Sequence, residues 1–238
     1  MLHSTPGIVL RTIRYGETSI VTTVYTELFG VQSYLVNGVR TEKKSASKAN
    51  LYQPASQLDL VVYHQPNKNL QRIREARMGY YYRELSFSVI RNTIAVYVSE
   101  LIYRTITEPE GNPELYHFIA EALQHIDTAT EAALADFPIL FTLDLAAHLG
   151  FAIQPPLSGE ERIFDLINGR FIPEHQSEHP YLLSADLSGK LLDVLLERTH
   201  RNHLVRKELL EVCIQYLRHH IPHMQELRSP EVLHAVLS

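Results

Sequence analysis

The chain has 238 residues, 45% of them apolar and 21% charged, with 10 Gly and 12 Pro. That balance belongs to an ordinary globular protein and excludes collagen-like, coiled-coil and mostly disordered chains. The formal net charge of −5 conceals an asymmetry, because residues 1–80 carry ten Lys/Arg against five acids while the remainder carries 12 against 22.

Residues 7–15, 18–27, 31–39, 56–64 and 69–78 are rich in Val, Ile, Thr and Tyr and read as five strands. Turn residues bound them: Gly16-Glu17, Gly30, Asn37-Gly38 and Pro66-Asn67. Alternation is partial. In the fourth segment Leu58, Leu60 and Val62 share one face, but Val61 and Tyr63 make the other face apolar too. Such a pattern suits a small closed barrel with something packed on its outside. Between the third and fourth strands, residues 45–52 contain Ala46, Ala49 and Leu51, a helical turn or two able to plug the barrel. Five strands with that insertion match the OB-fold.

From Tyr80 the period becomes helical. Over residues 82–107, Leu85, Val89, Val96 and Tyr103 form one stripe, and Ile94, Val98 and Leu101 a second, as in a helix central to its domain. The next helix opens on Asn112 as N-cap with Pro113 at its first position, and carries Leu115, Phe118, Ile119, Ala122 and Ile126. A third run, 137–149, is expected to be capped by Asp136 and stopped by Gly150. Residues 151–183 hold four Pro and two Gly and read as loops with room for a short hairpin. Helical stripes resume at Leu187, Leu191, Val194 and Leu195, then at Leu209, Val212, Tyr216 and Leu217, ended by Pro222. The expected fold class is therefore α+β: a five-stranded OB-fold barrel over residues 1–79, then an α-helical domain over 80–238 with an irregular insertion at about 154–183.

With Cys213 the single cysteine, no intramolecular disulfide or four-thiolate zinc site can form, and a reducing cytoplasm is the expected home. Cys213 falls within an apolar helical pattern and reads as a small core residue. No run of about 18 apolar residues suggests a membrane span, and the opening 17 residues lack the pattern of a signal peptide. Phosphate loops of the GxxxxGK[ST] or GxGxxG type are absent, as are HExxH and GxSxG, so no catalytic residues, metal or cofactor are expected. His175 with His179, and His219 with His220 and His223, lack a convincing further ligand type nearby.

The basic residues say more. Arg40, Lys43, Lys44 and Lys48 fall within nine residues after the Asn37-Gly38 turn, and such a loop at a barrel rim contacts phosphates without reading bases. Arg72 and Arg74, two apart in a strand, share one sheet face. Arg14 and Lys68 complete the candidate DNA-binding set. Tyr15, Tyr25, Tyr34, Tyr52 and Tyr63 offer rings for base stacking or for barrel packing. Read from the residues alone, a DNA-binding barrel, an RNA-binding barrel and a protein-binding adaptor all remain open.

The order GIVL at 7–10, Tyr15-Gly16-Glu17, the turn at 26–30, Gly38-Val39-Arg40 before a basic stretch, Leu51-Tyr52-Gln53-Pro54, Asn112-Pro113-Glu114-Leu115 and the ending at 227–237 resembles the bacterial recombination-mediator RecO family. The resemblance implies binding of single- and double-stranded DNA, annealing of complementary strands, and work with RecR to load RecA on strands coated by single-strand-binding protein (SSB). It also implies a cytoplasmic protein, nucleoid-associated when acting on DNA, and recognition of the acidic, Phe-ended SSB tail. For that tail, Arg198, Arg201, Arg206 and Lys207 are the candidate cationic rim, or else the ordinary polar ends of two helices. Many family members carry four zinc-binding cysteines in the helical-domain insertion. The stretch here has none, so an insertion held by Ile163, Phe164, Ile167 and Phe171 is expected instead.

Overall fold

The computed structural model describes residues 1–39, 50–106, 108–176, 179–197 and 203–237. Five strands, β1 (Leu2–Tyr15), β2 (Ser19–Thr26), β3 (Gly30–Val36), β4 (Gln57–Tyr63) and β5 (Leu70–Met78), close into a barrel in the order β1-β2-β3-β5-β4. Within the barrel, among the described residues, only the β3–β5 pairing is parallel, and it is short, joining Ser33–Leu35 to Leu70–Arg72. This is the OB-fold the strand count implied. Closure rests on β1, which begins at Leu2 rather than at residue 7. Its first half pairs with β4, from Leu2↔Tyr63 to Ile8↔Gln57, and its second with β2, from Gly7↔Thr26 to Tyr15↔Ser19. Pro6 hides the early start, since proline ordinarily interrupts a strand. Here only its carbonyl is used, accepting from the N–H of Glu27 at 3.2 Å.

Val9, Ile20, Val24, Tyr34, Leu58, Leu60 and Val62 fill the barrel, joined by Tyr52. Most of the plug expected over 45–52 lies outside the described residues. Its last two residues, Leu51 and Tyr52, pack on the core, and the Tyr52 carbonyl accepts from the Thr12 hydroxyl at 2.7 Å. On the barrel's outer face Tyr25 is buried by stacking on Tyr116, with centroids 6.4 Å apart. Tyr116 belongs to α2 (Pro113–Thr128), which with α1 (Val89–Thr105) covers this side and explains why both faces of the strands are apolar.

The first helix starts at Val89, not at 82. The buried Asp127 carboxylate accepts the backbone N–H groups of Arg83, Glu84 and Leu85, holding them in a turn, and Ser88 then caps α1 by accepting from the Arg91 N–H. Asn112 caps α2 as expected, accepting from the Leu115 N–H at 3.0 Å. The backbone of 108–111 lies flat against the β2–β3 turn, where the glycines Gly30 and Gly111 leave no room for a Cβ.

By packing, the chain forms two compact units, residues 1–128 with 227–233, and residues 129–226 with 234–238. In the first, the Glu100 carboxylate on α1 accepts from the N–H groups of Arg228 and Ser229 and from the Ser229 hydroxyl. The second contains α3 (Glu131–Leu134), α4 (Phe137–His148), the hairpin β6 (Glu161–Asp165) and β7 (Arg170–Pro173), α5 (Ala185–Glu197) and α6 (His203–His220). Helix α7 (Ser229–Val236) ends the chain.

At α4 the sequence expectation was half right. Gly150, at φ +88°, closes the helix with a paired motif in which its own N–H reaches Ala147 and that of Phe151 reaches Ala146. Asp136 makes no side-chain cap; its carboxylate faces the Arg206 guanidinium at 4.0 Å. In the insertion Ile163, Phe164 and Phe171 are buried, whereas Ile167 is 39% exposed. Ile167 sits in the hairpin turn, where the chain reverses, and Leu166 turns inward in its place. Ser188 of α5 pins the hairpin, its hydroxyl accepting from the Phe164 N–H at 2.9 Å.

Candidate nucleic-acid interface

A groove of about 980 Å³ crosses the outer face of β4 and β5 and reaches the gap beside the short β3–β5 pairing. Its origin is local. Strands β4 and β5 pair from Leu58↔Met78 to Val61↔Glu75, then resume at Val62↔Ile73, so Arg74 is an extra residue in β5. That bulge resets the alternation. Ile73, Ala76 and Met78 face the core with Val62, Leu60 and Leu58, while Arg72, Glu75 and Arg77 face outward with Tyr63, Val61 and Asp59. Arg74 is exposed beside them.

Arg72 and Arg74 therefore both line the groove, as their two-residue spacing suggested, with Arg74 at the bulge itself. Arg77 lines it as well. Strict period-two reading would put Arg77 on the face of Ile73, and no residue type in 70–78 announces the bulge. Two of these cations have acidic neighbours. Arg77 Nε donates to Asp59 Oδ2 at 3.1 Å, and Arg74 Nε lies 3.4 Å from Glu75 Oε1. Both pairs are solvent-exposed and so weak that phosphate can compete for the guanidinium. Among the described residues Arg72 has no carboxylate within ion-pair distance.

The other expected residues divide. Arg14, at the end of β1 opposite Ile20, and Lys68, in the β4–β5 turn, are exposed but do not line the groove. Arg40, Lys43, Lys44 and Lys48 lie outside the described residues, as do Arg198 and Arg201. Arg206 and Lys207 are on α6, Arg206 partly buried toward Asp136 and Lys207 exposed beside the 63%-exposed Leu204.

The tyrosines separate sharply. Tyr25 and Tyr34 are fully buried and Tyr52 nearly so, and burial pushes the phenol pKa of Tyr25 and of Tyr52 up to about 12. Tyr15 and Tyr63 stay about half exposed, and of these Tyr63 lines the groove.

Among the described residues no group of three or more His, Cys, Asp or Glu side chains could hold a metal ion. His179 instead contacts the buried Asp165 carboxylate at 3.3 Å, and His220 meets the Leu166 carbonyl at 3.2 Å. Cys213 is buried, and burial pushes its thiol up to about 12. No helix among the described residues is long and apolar enough to cross a membrane.

The comparisons with known proteins bear on this barrel directly. Residues 1–82 match the family described as the recombination protein O N-terminal domain, and residues 86–155 the corresponding C-terminal domain. A DNA repair protein RecO of Bacteroides fragilis is 30% identical over 241 residues, covering 98% of both chains. The chain belongs to the RecO family of DNA repair proteins. Another RecO, of Flavobacterium psychrophilum, is 29% identical over 242 residues and the full length of both chains, and that of Phocaeicola vulgatus is likewise 29% identical over 243 residues. Similarity of this extent to RecO proteins runs through the helical region as well as the barrel.

Proposed function

We propose that this RecO-family chain binds single- and double-stranded DNA along the barrel groove, anneals complementary strands, and with RecR helps load RecA on SSB-coated single strands. The observation that carries the reading is the placement of Arg72, Arg74 and Arg77 along one groove of an OB-fold barrel in a DNA repair family. The chemistry is strand handling without a covalent step. Guanidiniums that meet phosphates release counterions and screen the repulsion between two strands, so bases approach closely enough to pair. Arg40, Lys43, Lys44 and Lys48, with Arg14 and Lys68, supply further cationic charge for phosphate contacts. On the acidic SSB tail, Lys207 with the exposed Leu204 supplies the cation and the apolar contact, joined by Arg198, Arg201 and Arg206.

Annealing of complementary DNA across a salt series tests this. The protein should anneal at low salt and lose activity steeply as salt rises. A variant with Arg72, Arg74 and Arg77 changed to Ala, shown to be folded, should lose most of it. No annealing and no retention of DNA at low salt would overturn the reading and favour a protein-binding adaptor.

A further inference from the structure

We propose that Tyr63 and Arg72 form a single-nucleotide recognition pair in the groove, with the Tyr63 ring stacking on an unpaired base and Arg72 holding an adjacent phosphate. The inference rests on the groove being the DNA site, and it names the residues that separate single strands from duplex there.

Three observations converge on the pair. First, Tyr63 and Arg72 are direct cross-strand partners on the outer face, with side chains on the same side of the sheet. Second, they differ from their neighbours in availability. Arg74 and Arg77 each have an acid beside them, while among the described residues Arg72 has none. Tyr25, Tyr34 and Tyr52 are buried, while Tyr63 keeps 47% of its surface exposed. Third, Arg72 also sits across from Leu35 at the last position of the short β3–β5 pairing, where the sheet opens. A nucleobase on Tyr63 therefore has apolar surface on Val61 and Leu35 nearby, all within one groove.

The division of labour follows from the chemistry. A tyrosine ring offers a face to any base, but only to a base that is not already stacked in a duplex. A guanidinium grips phosphate in single or double strands alike. Tyr63 is thus the discriminating residue and Arg72 the indifferent one.

The test measures binding of the full-length protein to labelled oligothymidylate and to a hairpin duplex over a salt series. Tyr63→Ala should weaken binding to the single strand about 10-fold, leave the duplex within about 2-fold, and leave the salt slope unchanged because no phosphate contact is lost. Tyr63→Phe should retain wild-type binding, and Tyr63→Leu, which keeps apolar area without a ring, should behave as Ala does. Arg72→Ala should lower the slope of log affinity against log salt by about 0.7 on the single strand and weaken both DNAs. If Arg72→Ala acts as stated and Tyr63→Ala does not alter single-strand binding, the recognition pair is wrong and the groove reading survives. If neither substitution changes binding to either DNA, the groove itself is not the site. Equal loss on both DNAs with Tyr63→Ala would also overturn the proposal.

Discussion

Replacing Asp127 should unlatch the segment that joins the barrel to α1. Its carboxylate is 1% exposed and accepts the N–H groups of Arg83, Glu84 and Leu85 at 2.8–3.0 Å. Asp127→Ala removes the acceptor for three backbone donors at once. A hydrogen bond to a charged group contributes about 1.5–3 kcal/mol, but the freed turn can fray toward water, so a net loss of about 3 kcal/mol is expected. Asp127→Asn keeps one oxygen and should lose about half of that. The pH dependence carries a sign. Burial pushes this carboxyl's pKa up, but the N–H groups of Arg83, Leu85 and Glu84, with the Arg91 guanidinium close by, outweigh it and hold the pKa below its ordinary 3.8. A carboxylate with a lowered folded-state pKa stabilises fully above its unfolded value and loses that contribution as pH falls through the folded one. The gap between wild type and Asp127→Asn should therefore be constant near neutrality and shrink in acid below about pH 4. Urea unfolding at several pH values measures it, together with hydrogen exchange at residues 83–85. If the amides of 83–85 exchange no faster in Asp127→Ala, the carboxylate does not hold this turn and the reasoning fails.

Three further outcomes are expected. Asp165 is 3% exposed and accepts from the Ile167 and Asn168 N–H groups and the Asn168 side chain, so Asp165→Ala should destabilise the 161–173 hairpin by about 2 kcal/mol, read as faster exchange there with the barrel amides unaffected. Gly111→Ala would put a methyl 2.5 Å from the Leu28 carbonyl oxygen and 2.6 Å from that of Glu27, both backbone, so a loss of roughly 2 kcal/mol or more in urea unfolding is expected; Gly159, with nothing within 4 Å of its added Cβ, serves as the tolerant comparison. Cys213 should resist a thiol reagent at pH 8 in the native protein and react fully in denaturant, because burial disfavours its thiolate; rapid native labelling would contradict that burial.

Much of the architecture was legible because it depends on local signals. Gly16, Gly30 and Gly38, all at positive φ, punctuate the strands where glycine tolerates a backbone that other residues avoid. Asn112-Pro113 and Gly150 mark helix ends through bonds that span only a few residues. The missed boundaries each had a distant cause. Strand β1 extends back through Pro6 because β4, over fifty residues away, is there to pair with it. Helix α1 begins late because Asp127, more than forty residues on, collects the preceding amides.

The candidate site divides in the same way. The amino-acid sequence by itself determined that a basic, tyrosine-rich barrel precedes an acidic helical region, since composition and short periods survive without knowledge of partners. Only the tertiary structure decided which tyrosines reach solvent, because Tyr25 becomes core through Tyr116 while Tyr63, among the described residues, stays 47% exposed. It alone decided that Arg77 joins Arg72 and Arg74 on one face. A bulge is a mismatch between two paired strands, so the parity of β5 is set by its register against β4 and cannot be read from β5 alone.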